Sequence, residues 1–156
     1  MKKPLFATLT LLPALTLAGM PMMGGPRPGM MHGGMMKMSM VRHQLMMRQG
    51  LDPAYRGARN PLPDTPEIRA EGRRLFQANC AACHGDQGRG DGPAAKGLQP
   101  PPADLARLMK MPMASDAYLL WTISEGGQPV GSAMPAFKES LSREEIWKIV
   151  RYLRTL

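Results

Sequence analysis

The two cysteines of this chain stand in Cys80-Ala81-Ala82-Cys83, and His84 follows at once. Two thiols at this spacing near the end of a helix can reach the two vinyl groups along one edge of a porphyrin, and the next residue then sets an imidazole beneath the iron. In a chain that carries an export signal, C-x-x-C-H is the attachment signature of covalent c-type haem. Cys80 and Cys83 are therefore the expected thioether positions, and His84 the expected iron ligand.

A second axial ligand is needed if the iron is to stay six-coordinate, and a methionine thioether raises the reduction potential relative to harder ligands. Met134 is the candidate, inside Gly131-Ser132-Ala133-Met134-Pro135-Ala136-Phe137, a loop able to drape its sulfur over the opposite face. Met109, Met111 and Met113 are rivals; their apolar setting just before an expected helix is the usual place for core or pocket-lining methionine. The imidazole's other nitrogen needs an acceptor, commonly a backbone carbonyl, and one of Pro100, Pro101 or Pro102 is placed to offer it. Other uses of the motif fit less well. A thioredoxin-like pair needs a βαβ framework, and structural zinc needs four ligands. A haem enzyme would leave the sixth position open, where Met134 speaks for a closed one.

The elements that must hold these groups are helical. Thr65 caps, Pro66 suits a first helical position and Glu67 complements the helix dipole, so a helix is expected from Pro66 to Asn79, burying Ile68, Leu75 and Phe76. Gly72 inside it implies that another helix approaches the backbone closely. Ser142 with Glu145 forms a capping box ahead of Ile146, Ile149, Val150 and Leu153 at helical spacing. A further helix is expected from Ser115 to Ser124, ended by Glu125-Gly126-Gly127. Gly85 to Pro102 and Gly126 to Pro135 are Gly/Pro-rich loops, and no alternating strand pattern occurs. This is an all-α domain of three to four helices with long loops, over 64–156. Its apolar side chains are few, so a cofactor is expected to fill its centre.

Residues 1–18, a basic start and then an apolar run from Pro4 to Ala18, read as a signal peptide, with periplasmic export and a soluble product expected after cleavage. An uncleaved signal would instead anchor the chain to the membrane. Residues 19–63, dense in Met, Gly, Pro and Arg, are expected to be largely disordered, with at most a turn or two of helix over Arg42 to Gln49. Eight basic residues face one acid before residue 60, a local +7, and twelve face eleven thereafter, leaving the domain at +1. A nucleic-acid binder would concentrate its basic residues on the folded domain, so that class is set aside. The leader's thioethers are soft ligands that select Cu(I), and Met36-x-Met38-x-Met40 resembles spaced methionine motifs of copper-handling secreted proteins. An inert linker, or a sacrificial pool absorbing oxidants, is the competing reading.

Gly72-x-x-x-Phe76-x-x-x-Cys80-Ala81-Ala82-Cys83-His84-Gly85, the loop Gly90 to Leu98 leading to Pro100-Pro101-Pro102, Met134-Pro135-Ala136-Phe137 and the ending Ile146-Trp147 to Tyr152-Leu153 together resemble a class I cytochrome c. The resemblance covers about residues 64 to 156. It implies the small cytochrome c fold, with first and last helices crossing near the haem and Gly72 and Phe76 against Tyr152. It further implies one low-spin haem held by His84 and Met134, with an exposed edge through which a monomer passes single electrons to an oxidase, reductase or dehydrogenase, without catalysing bond chemistry. The domain's only lysines are Lys96, Lys110, Lys138 and Lys148, so an acidic partner does not follow. Two alternatives remain: a copper-handling protein with a haem domain, and a haem subunit of a larger oxidoreductase.

Overall fold

The computed structural model describes residues 35–156, with side chains from Val41 onward. Three helices lie where capping and periodicity put them. Helix α2 (Pro66–Asn79) starts at Thr65, whose hydroxyl accepts from the Ile68 N–H, with proline in the first turn. Helix α5 (Asp116–Glu125) starts at Ser115, whose hydroxyl accepts from the Tyr118 N–H, and ends at Gly126, φ +66°. Helix α6 (Arg143–Leu153) opens with both halves of the Ser142/Glu145 capping box. Preceding these in the chain is α1 (Met35–Gln49), and two single turns, α3 (Ala81–His84) and α4 (Leu105–Leu108), follow α2. The described residues thus hold six α-helices and no strand, an all-α fold. The count exceeds the expected three to four because α1 is longer than its sequence suggested and because α3 and α4 are brief turns in the loops.

Helices α2 and α6 make the most extensive interhelical contact among the described residues. Gly72 explains how they come so close. A Cβ built there would lie 2.0 Å from the Lys148 carbonyl oxygen of α6, so only glycine lets the backbones meet. Beside this point Phe76, fully buried, packs on Tyr152 with ring centroids 5.3 Å apart and planes tilted by 53°. That tilted arrangement suits the quadrupoles of two aromatic rings. Helix α5 is buried nearly all round, from Ala117 to Ser124 with Thr122 half-buried, and forms the middle of the core.

The expectation of disorder through residue 63 is corrected over its described part. Residues 35–49 are helix rather than a turn or two, and 50–63 run as a strap along the domain. Tyr55 is buried and donates its hydroxyl to Glu125 Oε1 at the end of α5. Asn60 donates its backbone N–H to Asp116 Oδ2, 3.0 Å, and its side-chain amide to the Trp147 carbonyl, 2.8 Å. Arg151 of α6 donates to the Asn60 and Leu62 carbonyls in return. The physical reason is that the strap's polar backbone groups find partners on α5 and α6, which composition alone cannot reveal. The expected signal peptide, 1–18, lies outside the described residues, as do residues 19–34. Among the described residues no helix is long and apolar enough to cross a membrane.

Candidate haem site

Helix α2 stops at Asn79, and Cys80 begins the single turn α3, with the Cys83 and His84 N–H groups both donating to the Cys80 carbonyl at 3.1 and 2.9 Å. One turn of helix thereby brings Cys80, Cys83 and His84 to the wall of one cleft. The cleft is open on one side, and its empty space, with that open solvent included, is about 1050 Å³. Its remaining walls are largely apolar: Phe76 from α2, Leu119 and Ile123 from α5, Ile149 and Leu153 from α6, and the proline run 100–102.

His84 is fixed from behind. Its Nδ1 lies 3.0 Å from the Ala103 carbonyl oxygen, and because a carbonyl can only accept, Nδ1 carries the proton. Nε2 is left with a free lone pair. Burial lowers the pKa of His84, against the opposing effect of that same hydrogen bond, and so favours the neutral, ligating imidazole. The acceptor is one residue beyond the three prolines that were expected to supply it. The proline run, entered by a cis Gln99–Pro100 bond, lines the cleft and delivers Ala103 instead.

Met134 reaches the same cleft from the other side of the sequence. Its loop is closed at the base, where the Gly127 N–H donates to the Met134 carbonyl at 2.8 Å and the Ser132 N–H to the Gly127 carbonyl at 3.0 Å. Just past it, the Phe137 and Lys138 N–H groups donate to the Ile123 and Ser124 carbonyls, both at 3.2 Å, tying the loop to the end of α5. The rivals Met109, Met111 and Met113 pack against the core and do not line the cleft. Met36, Met38 and Met40 lie on the backbone of α1, and their side chains are outside those described.

The setting of Cys80 does not activate it as a redox thiol. Burial, with Cys83 adding a smaller effect, pushes the Cys80 thiol up to about 12, whereas reactive C-x-x-C thiols are held low. Among the described residues no three His, Cys, Asp or Glu side chains converge as a metal site either. Two thiols, a neutral imidazole and a thioether around an apolar cleft are the donor set that covalent haem uses, so the residues fit that group.

The family model of cbb3-type cytochrome c oxidase, subunit III, matches residues 68–153. The chain belongs to that family and is a c-type cytochrome. Its cofactor is accordingly haem c. No curated protein matches the cytochrome. Among solved structures it is similar to a chain of the Kuenenia stuttgartiensis reducing HAO-like protein complex, at 26% identity and a TM-score of 0.49; the likeness covers 61% of the cytochrome and 46% of that chain, less than half its length.

Two polar residues of the cleft escaped the sequence reading. Arg42 of α1 and Thr122 of α5 both line it. The available signal was slight: Arg42 shares a helical face with Leu45 and Met46, which pack against the core.

Proposed function

We propose that this cytochrome carries single electrons in one haem attached through Cys80 and Cys83, with His84 and Met134 as axial iron ligands, as in class I cytochromes c. The observation that carries the reading is the His84–Ala103 hydrogen bond, which leaves a neutral Nε2 for iron in a cleft that Met134 also lines. When bound, the haem supplies reversible one-electron chemistry at its iron. The chain's part is to hold both ligands still: α3 and the Ala103 carbonyl orient the imidazole, and the closed base of the Met134 loop restrains the thioether. With both axial positions filled by protein, the reading assigns electron transfer and no bond-making reaction.

Export to the periplasm is part of the proposal and rests on the basic and apolar start of the sequence. A redox enzyme such as an oxidase, reductase or dehydrogenase is the partner class, and the domain's charge of +1 favours a weakly charged encounter face over strong steering.

The test compares visible spectra of wild type and Met134→Ala, made with a haem-attachment system. Wild type should show the sulfur-to-iron band at the red end of the oxidised spectrum, and the variant should lose it while gaining the ability to bind added imidazole or carbon monoxide. An unchanged spectrum in the variant would assign the sixth position to another residue and reopen the case for haem-based catalysis.

A further inference from the structure

Arg42 is 5% exposed, an unusual state for an arginine, and lies in α1, ahead of the family-matched residues 68–153. Its guanidinium stacks over the Trp121 ring, 5.1 Å from the centroid, and Nη2 donates to the Gly126 carbonyl. Those contacts fix the plane of the fork but leave its charge unanswered. No carboxylate among the described residues pairs with Arg42, and its Nη1 is buried without a hydrogen-bond partner. Arginine cannot shed its proton to escape burial, so an unpaired guanidinium inside a protein is a costly arrangement in want of an anion.

A second orphan faces the same cleft. Thr122 Oγ1 on α5 is buried and completes no hydrogen bond of ordinary geometry, the Tyr118 hydroxyl being a near polar neighbour. Tyr118, one turn earlier on that face of α5, also lines the cleft, and the Arg42 charge acts on its phenol against the burial that raises it. A fixed cation and a hydroxyl with no completed hydrogen bond, on the wall of a largely apolar cleft, make a receptor for a carboxylate. Haem is an apolar plate that bears two carboxylates, its propionates.

We propose that Arg42 Nη1 and Thr122 Oγ1 bind a haem propionate, so that α1 completes the cofactor site of the domain it precedes. The proposal rests on the haem reading above. A propionate at this point gives both orphan groups their missing acceptor and neutralises the buried guanidinium. Arginine suits the task because its planar fork can stack on Trp121 and donate along two directions at once, which a lysine ammonium cannot do. A cation held beside the haem also disfavours the more positive ferric state, so Arg42 raises the reduction potential.

The experiment uses the full-length holoprotein with haem labelled by carbon-13 at the propionate carboxylates. Redox-difference infrared spectra and midpoint potentials are compared for wild type, Arg42→Lys, Arg42→Gln and Thr122→Val. The labelled carboxylate stretch should shift in Arg42→Gln and, by less, in Thr122→Val; the potential should fall in Arg42→Gln and be largely retained in Arg42→Lys. Thr122→Val leaves every Arg42 contact to Trp121 and Gly126 in place, so a shift there reports the carboxylate and not a displaced α1, even if Arg42→Gln folds poorly. Labelled bands at their wild-type positions in Thr122→Val and in whichever Arg42 variants fold, with the sulfur-to-iron band intact, would overturn the proposal. Absence of that band from wild type would instead overturn the haem-ligation reading beneath it.

Discussion

Glu125 closes α5 and is held by two donors, the Tyr55 hydroxyl and Lys138 Nζ at 2.9 Å. The Tyr55 bond first, and then Lys138, keep its carboxyl below the usual carboxylate range. A carboxylate with a depressed folded-state pKa stabilises the protein fully above its unfolded value, about 4.3 for glutamate, and loses that stabilisation as the pH falls through the folded value. Wild type should therefore be more stable than Glu125→Gln at pH 7, and the gap should narrow as the pH falls from about 5 to about 3. Urea midpoints at the two ends of that range measure it, and a gap of constant size would show that Glu125 contributes through neither bond. At this scale the sequence pointed to Cys80, Cys83, His84 and Met134 because few residue types can do the work proposed for them, and the fold brings all four to one cleft. The Ala103 carbonyl was missed by one position, since any residue carries a carbonyl and only the loop's path selects which one points at Nδ1. Arg42 and Thr122 were missed altogether: arginine in a basic leader and threonine in a helix look ordinary until burial removes their partners.

At the scale of elements, α2 and α6 depend on a contact with no side chain on one of its sides. Gly72→Ala should cost about 1–3 kcal/mol or more, because the new methyl meets the Lys148 carbonyl, which cannot rotate away as a side chain could. A fall in the thermal midpoint with the visible spectrum retained would place the damage in the helix pair; an unchanged midpoint would mean that the two helices separate without penalty. Ser142→Ala removes the hydroxyl half of the α6 capping box and should cost about 1 kcal/mol, measurable by urea denaturation. Boundaries of α2, α5 and α6 were readable because caps, prolines and glycine stops act within a few residues of themselves. Helix α1 was not. Among its described side chains Arg42 alone is fully buried, with Leu45 and Met46 partly so, and Arg42 docks on Trp121 and Gly126, which lie far along the chain. Nothing within reach of a local pattern reports such a contact.

For the whole molecule, the strap and α1 are structural parts of the domain they precede. A chain lacking residues 1–63 would lose the burial of Tyr55 and the Asn60–Trp147 and Arg151–Leu62 hydrogen bonds. Losing one buried aromatic side chain and two hydrogen bonds should cost at least about 2 kcal/mol. The thermal midpoint of that shortened holoprotein should then lie roughly 8–16 °C below that of the full-length form, taking about 4–8 °C per kcal/mol for a domain of this size. Equal midpoints would show the strap to be a passive covering.

The meeting of α2 with α6 also governs the order of assembly. Cys80 and Cys83 follow directly on the first of these helices, whereas Ile149 and Leu153, which wall the same cleft, belong to the second. A chain emerging from its amino end presents both thiols well before that wall exists. The cleft can close only through a long-range pairing, which is among the slower events in folding. An attachment machinery working from outside thus meets an open groove, and the last helix to arrive acts as the latch.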